Sequence, residues 1–115
     1  MKELSDELVS RIAERFRALA DETRIRILLR LQGGECNVSS LAQELNVAQA
    51  SISKHLAVLR QVGFILVRRE GTQAFCSVRD PDLPQLCQLM CDGVKRHASE
   101  QHAALGLAPR PRVAK

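Results

Sequence analysis

The chain has 115 residues and carries 17 Lys and Arg against 13 Asp and Glu, a formal net charge of +4. That length suits one domain, with a core to which a second copy would add useful apolar contact. The basic excess is far below that of a histone-like tail, so its placement matters more than its size. The first residues show acids and a helical period where a leader would be charged and then apolar, and no apolar run approaches the roughly 18 residues of a membrane span. A cytoplasmic protein with no membrane partner is expected. In a reducing compartment, Cys36, Cys76, Cys87 and Cys91 are expected as thiols, ligands or redox sensors and not as a disulfide framework.

In chain order, Ser5 can cap a first helix in which Leu8, Ile12, Phe16 and Leu19 repeat at helical spacing, while Glu3, Asp6, Glu7 and Glu14 keep the other side wet. This is an amphipathic packing or dimer helix. Asp21 can cap the next, whose stripe is Ile25, Leu28 and Leu31, widened by Ile27 and Leu29, before Gly33-Gly34 stops it. The segment VSSLAQELNVAQASISKHLAVLRQVG, residues 38–63, reads as two short helices joined by a tight turn. The first is predicted to begin at Ser39 or Ser40, with Ser40 and Gln43 as a capping box, and to end at Asn46. The second carries Ile52, Leu56 and Leu59 inward, and Gly63 follows its end.

Two short runs, Phe64 to Glu70 and Gln73 to Arg79, flank Gly71-Thr72 and predict a hairpin. Asp80-Pro81 opens a last helix with Leu83, Leu86, Cys87, Met90, Cys91 and Val94 along one stripe. The expected organisation is one domain over residues 1–102 and a mobile basic tail over 103–115. The fold class is mainly α with a small β-hairpin, a winged helix-turn-helix. Such an order makes a reader of double-stranded DNA.

Within that frame Gln49 and Ser51 are the candidates for base edges, since Gln pairs with adenine through two hydrogen bonds and Ser serves as donor or acceptor. Ser53 and Lys54 suit phosphate. His55 precedes Leu56 and is open to either a structural hydrogen bond or a DNA contact. Arg68, Arg69 and Gln73 border the wing tip, within reach of a minor groove or its phosphates. No nucleophile–base signature and no Gly-rich phosphate loop is present, so an enzyme is not expected.

The segments FRALADETRIRILLRL and LNVAQASISKHLAVLRQVGF and the RREG hairpin together resemble the ArsR/SmtB family of repressors that respond to metals, metalloids or thiol oxidants. The resemblance covers about residues 10–97. It implies a homodimer joined by its first and last helices, with operator affinity that falls when an inducer binds. Ser53, His55 and Leu56 match the family's Ser-x-His-Leu pattern, and Gln49 its polar residue near the helix start. Ala48 departs from the pattern, for the family often has a capping Ser there, whose absence costs about 1 kcal/mol.

The family's metal box reads Glu-Leu-Cys-Val-Cys-Asp-Leu, where this chain has Glu35-Cys36-Asn37-Val38-Ser39-Ser40-Leu41. Asn37 and Ser39 hold the two ligand positions, so that site is expected to be absent. A zinc site on the last helix would need Asp, His and His-x-x-Glu, where Asp80, Asp82, Gly93 and Arg96 stand. His97 and His102 are then surface residues.

What remains is Cys87 with Cys91, four apart on one side of the last helix, their Cβ atoms about 5–6 Å apart. That gap exceeds the roughly 3.5–4.5 Å a disulfide wants, whereas a soft ion at about 2.3 Å from each sulfur spans it. Trivalent arsenic or antimony, or a soft divalent ion, is the expected inducer, with a third sulfur from Cys36, Cys76 or the other subunit. DNA binding itself needs no cofactor. Three alternatives stay open: the two cysteines only pack in an apolar stripe, the chain is a redox or reactive-sulfur sensor with a disulfide between helices or subunits, or it is a thiol-rich ion-binding protein with no DNA role.

Overall fold

The computed structural model describes residues 3–106. They fall into two compact units that divide between Pro81 and Asp82. The first holds α1 (Asp6–Leu19), α2 (Glu22–Leu31), β1 (Cys36–Asn37), α3 (Val38–Leu45), α4 (Gln49–Gln61), β2 (Ile65–Glu70) and β3 (Gln73–Val78), and the second is the single helix α5 (Leu83–Ala104). Among these residues no helix is long and apolar enough to cross a membrane.

The first unit is built on apolar stripes that meet. Ile27, Leu28 and Leu31 of α2, Val38, Leu41 and Ala42 of α3, Ile52, Leu56 and Leu59 of α4, and Phe64, Ile65 and Cys76 of the sheet are all buried. The period of α2 is therefore rotated from the expected stripe, because Ile25 and Leu29 stay 41 % and 53 % exposed while Ile27 faces inward. On α1 only Ala18 is buried, and Leu8, Ile12 and Phe16 lie open to solvent.

Helix boundaries follow capping chemistry. Ser5 Oγ accepts from Leu8 N at 3.1 Å and Asp21 Oδ1 from Arg24 N at 3.0 Å, as their positions predict. The expected Ser40–Gln43 box does not open α3. Asn37 does, its Oδ1 accepting from Ser39 N at 2.8 Å and Ser40 N at 3.3 Å, so the helix starts at Val38 and Ser40 already lies within it. Asn46 closes α3 in the left-handed region at φ 54° and ψ 47°, which Asn tolerates, and Val47 N donates back to Ala42 O at 3.0 Å. At the end of α4, Gly63 takes φ +84° and Phe64 N reaches Leu59 O at 3.1 Å.

The hairpin pairs Glu70 with Gln73 across Gly71-Thr72, and Gly71 at φ +62° supplies the left-handed first turn residue. A third strand joins it: β1 pairs antiparallel with β3, Cys36 opposite Cys76 and Asn37 opposite Phe75, in the order β1-β3-β2. A strand of two residues has no period to read, which is why pattern alone does not reveal it.

In the second unit α5 begins at Leu83, later than Asp80-Pro81 suggests, with Pro84 in its first turn. It runs to Ala104, past the expected start of the tail, and the tail beyond residue 106 lies outside the described residues. Leu89, Met90 and Val94 are about three-fifths exposed, at 61 %, 59 % and 62 %.

The cap assignment is testable. Asn37→Ala should lower unfolding free energy by about 1–2 kcal/mol, whereas Ser40→Ala should stay within about 0.5 kcal/mol. Urea denaturation followed by circular dichroism measures both, and the reverse ranking would restore the capping box.

Candidate nucleic-acid interface

Because α4 turns Ile52, Leu56 and Leu59 inward, its other edge is forced outward. Gln49, Ser53 and Lys54 are exposed and Ser51 is half-buried. Four of the polar residues singled out above therefore share the N-terminal part of one helix. Ala48 offers no side-chain cap there. The loss of about 1 kcal/mol is small beside the ~1.5–3 kcal/mol that each fully buried Leu or Ile contributes, so packing holds the helix start. Ser39 Oγ donates to Gln49 Oε1 at 3.3 Å. That bond steadies the Gln49 amide at the mouth of an open cleft lined by Ser39, Gln43, Asn46 and Gln49.

His55 is fastened from behind. Its Nδ1 lies 3.2 Å from Arg24 Nη1 and 3.9 Å from Asp21 Oδ1. Guanidinium can only donate, so in this bond Nδ1 is the acceptor. Arg24 also donates through Nε to Ala18 O at 2.7 Å and through Nη2 to Arg17 O at 3.2 Å. One guanidinium thus joins the α1–α2 corner to α4. Of the two roles open to His55, the structure provides the hydrogen-bonding one. The Arg24 backbone N–H, aided by the Arg24 charge, holds the Asp21 carboxyl below its ordinary value against the opposing effect of burial.

On the wing, Arg68 and Arg69 point to different fates. Arg68 makes a two-pronged pair with Glu35, Nη2–Oε1 2.7 Å and Nε–Oε2 2.9 Å, and a further bond to Glu70 Oε2 at 2.8 Å. Its guanidinium also lies 4.5 Å from the centre of the Phe75 ring. These bonds raise the Arg68 pKa and hold Glu35 low. Arg68 thus braces the sheet. Arg69, opposite Ala74, is exposed. Gln73, exposed at the wing turn, accepts through Oε1 from Asn37 Nδ2 at 3.1 Å.

The four thiols are free and fall into two pairs. Cys36 and Cys76 face each other in the sheet, both buried, while Cys87 and Cys91 are half-buried one turn apart on α5. Burial pushes the Cys87 thiol up. Among the described residues no three His, Cys, Asp or Glu side chains gather closely enough to hold a metal ion within one chain. Asn37, at the first ligand position of the metal box, is engaged as the α3 cap. The Arg24–His55 lock, the Glu35–Arg68 pair and the Cys36–Cys76 rung join residues 31, 33 and 40 apart in sequence. No local spacing announces them.

Comparison with known proteins gives the same outline. Residues 21–66 match the family model described as bacterial regulatory protein, arsR family. The chain is 34 % identical over 111 residues to the HTH-type transcriptional regulator KmtR of Mycobacterium tuberculosis, covering 96 % of this chain and 81 % of that one. It is 40 % identical over 80 residues to the arsenic resistance transcriptional regulator ArsR1 of Pseudomonas putida, covering 69 % and 62 %. Among solved structures it is similar to the homodimeric winged helix-turn-helix DNA-binding domain of a possible ArsR-family transcriptional regulator from Mycobacterium bovis. That likeness has a TM-score of 0.75 at 28 % identity and covers 89 % of this chain and 97 % of that one.

The Asp21 cap has a pH consequence. A carboxyl held low in the fold adds stability above its unfolded value, and that stability drains away as pH falls through the folded value. Urea unfolding at about pH 6, 4 and 3 should show a shallower acid loss for Asp21→Ala than for the parent chain, the rest being shared with Glu35. Identical acid slopes would remove Asp21 from the balance.

Proposed function

From a chain that belongs to the arsR family of bacterial regulatory proteins, winged helix-turn-helix transcriptional regulators and not enzymes, we propose a homodimeric repressor released from its operator by a thiophilic ion. The observation that carries the DNA reading is the outward polar edge of α4, Gln49 through Lys54, beside the exposed Arg69 and Gln73 of the wing. Gln49 and Ser51 read base edges, Ser53 and Lys54 grip phosphate, and Arg69 with Gln73 reaches the flanking groove. Arg68 supports them by stiffening the wing, and His55 by fixing α4 to α2.

Two copies are supported by apolar surface that one copy leaves open. Leu8, Ile12 and Phe16 on α1, and Leu89, Met90 and Val94 on α5, are exposed large hydrophobic side chains, of the kind that mark interaction faces. The M. bovis domain is described as homodimeric. Paired recognition helices would enter successive major grooves about 34 Å apart and require a roughly palindromic operator.

The inducer site is the Cys87/Cys91 pair. Two soft sulfurs at i, i+4 fit a trivalent metalloid or soft divalent ion, with a third donor from the second subunit or water. The name of the P. putida relative supports the metalloid class. Cys36 is left out of this set because it is buried opposite Cys76. Cys87 and Cys91 release DNA only by holding the ion more tightly in the DNA-free geometry than in the bound one, and thiols at a dimer seam meet that condition.

Fluorescence anisotropy with a labelled duplex from the DNA flanking the protein's own gene tests both halves. Lys54→Ala should weaken all duplexes and reduce the salt slope by about 1, whereas Gln49→Ala should cost about 1–3 kcal/mol on the operator alone. Equal losses on operator and random duplex would remove Gln49 from base reading. In the same assay, Cys87→Ser/Cys91→Ser should bind the operator as the parent does and no longer leave it when arsenite is added. Normal release by that variant would eliminate the α5 site.

A further inference from the structure

Cys36 and Cys76 take no part in the inducer site, yet the sheet sets them on one rung. They are register partners in the antiparallel β1–β3 pair. Directly opposed residues put their side chains on the same face with Cβ atoms about 4.5–5.5 Å apart, and a disulfide needs about 3.5–4.5 Å. A closure of about 1 Å, in a strand of two residues, separates the dithiol from a bond. Cys76 Sγ already lies 3.4 Å from Cys36 O.

We infer that Cys36 and Cys76 form a cross-strand dithiol that a small peroxide oxidises to an intrachain disulfide, fastening β1 to the wing sheet and weakening the grip on DNA. The two sulfurs are not equivalent. Cys36 keeps 5 % exposure and Cys76 none, so only a water-sized oxidant reaches the pair, and it meets Cys36 first. Burial pushes the Cys36 thiol up, with the Arg30 charge opposing and the Glu44 charge adding to that rise. Burial pushes Cys76 up to about 11, which suits the resolving thiol. Cys36 gives up its proton and attacks hydrogen peroxide; the O–O bond breaks, and Cys36 becomes a sulfenic acid as water leaves. Cys76 then attacks that sulfur, the S–O bond breaks, and a second water departs. Two thiols and one peroxide yield one disulfide and two waters.

The bond would act on DNA through Asn37. That residue follows Cys36, caps α3 and holds Gln73 at the wing turn. Pulling β1 toward β3 moves the cap and the wing anchor together. The DNA consequence rests on the repressor reading above, and the disulfide itself does not.

The test uses the full-length chain with Cys87→Ser/Cys91→Ser, so that only this pair remains. After hydrogen peroxide, alkylation and peptide mass mapping, the expected product has lost two hydrogens, links the Cys36 and Cys76 peptides within one chain, and reverts with dithiothreitol. Adding Cys76→Ala should stop the reaction at a sulfenic acid on Cys36, and Cys36→Ala serves as the second variant should the first not fold. Two thiols still open to alkylation after unfolding, or bridges only between chains, overturn the pair. Bridged protein should bind the operator about five-fold or more weakly than reduced protein, and unchanged affinity overturns the coupling. Reduced protein that binds no duplex at all counts against the repressor reading and leaves the mapped bond standing.

Discussion

Burial of a single stripe on α4 governs where everything else in the first unit can go. Once Ile52, Leu56 and Leu59 are committed to the interior, the helix has no rotational freedom, and the residues between them must face solvent or a ligand. The gain from three buried aliphatic side chains is several times what the missing cap at Ala48 loses. A weak helix start is therefore tolerated. Core and polar face are two sides of one constraint.

Charged groups then fix details that apolar packing leaves loose. Arg24 bonds to Ala18 O, Arg17 O and His55, so the corner between α1 and α2 is set against a residue of α4 that lies 31 positions further on by one planar donor. On the wing, Arg68 does the same work for β1 and β2 through Glu35 and Glu70. Exposed ion pairs contribute little to stability; their use here is positional, tying the hairpin to the residue before β1. A basic side chain on the hairpin is thus not always left open to a ligand: Arg68 is bound within the fold, and Arg69 beside it is exposed.

Much of the first unit was legible from pattern. The caps at Ser5 and Asp21, the corner at Asn46, the inward stripe of α4 and the Gly71 turn are each set by residues within a few positions of one another. Local chemistry can be read locally. The capping box at Ser40 failed because Asn37, three residues earlier, opens the helix by accepting from Ser39 N and Ser40 N, which leaves Ser40 inside it. The stripe on α2 was rotated because Ile25 and Leu29 are as apolar as Ile27, and periodicity cannot choose between two overlapping faces. For the candidate site, sequence supplied the residues of α4 but not the ties behind His55 and Arg68, whose partners lie 31 and 33 residues away. Cys36 opposite Cys76 was out of reach for the same reason.

The corner at Asn46 has mechanical leverage. Its dihedral angles, φ 54° and ψ 47°, set the direction in which α4 leaves, and Leu59 sits about 15 Å further along at ~1.5 Å per residue. An angular error of about 10° at the corner would carry Leu59 sideways by about 2.6 Å, more than a close-packed interior absorbs without opening a void or a clash. Drift at this position is consequently confined to Asn, Gly and Asp, the side chains that live comfortably in that conformation. A bulky β-branched replacement would act as a bent hinge pin, and its damage would surface at the far end of the helix and not where the change was made.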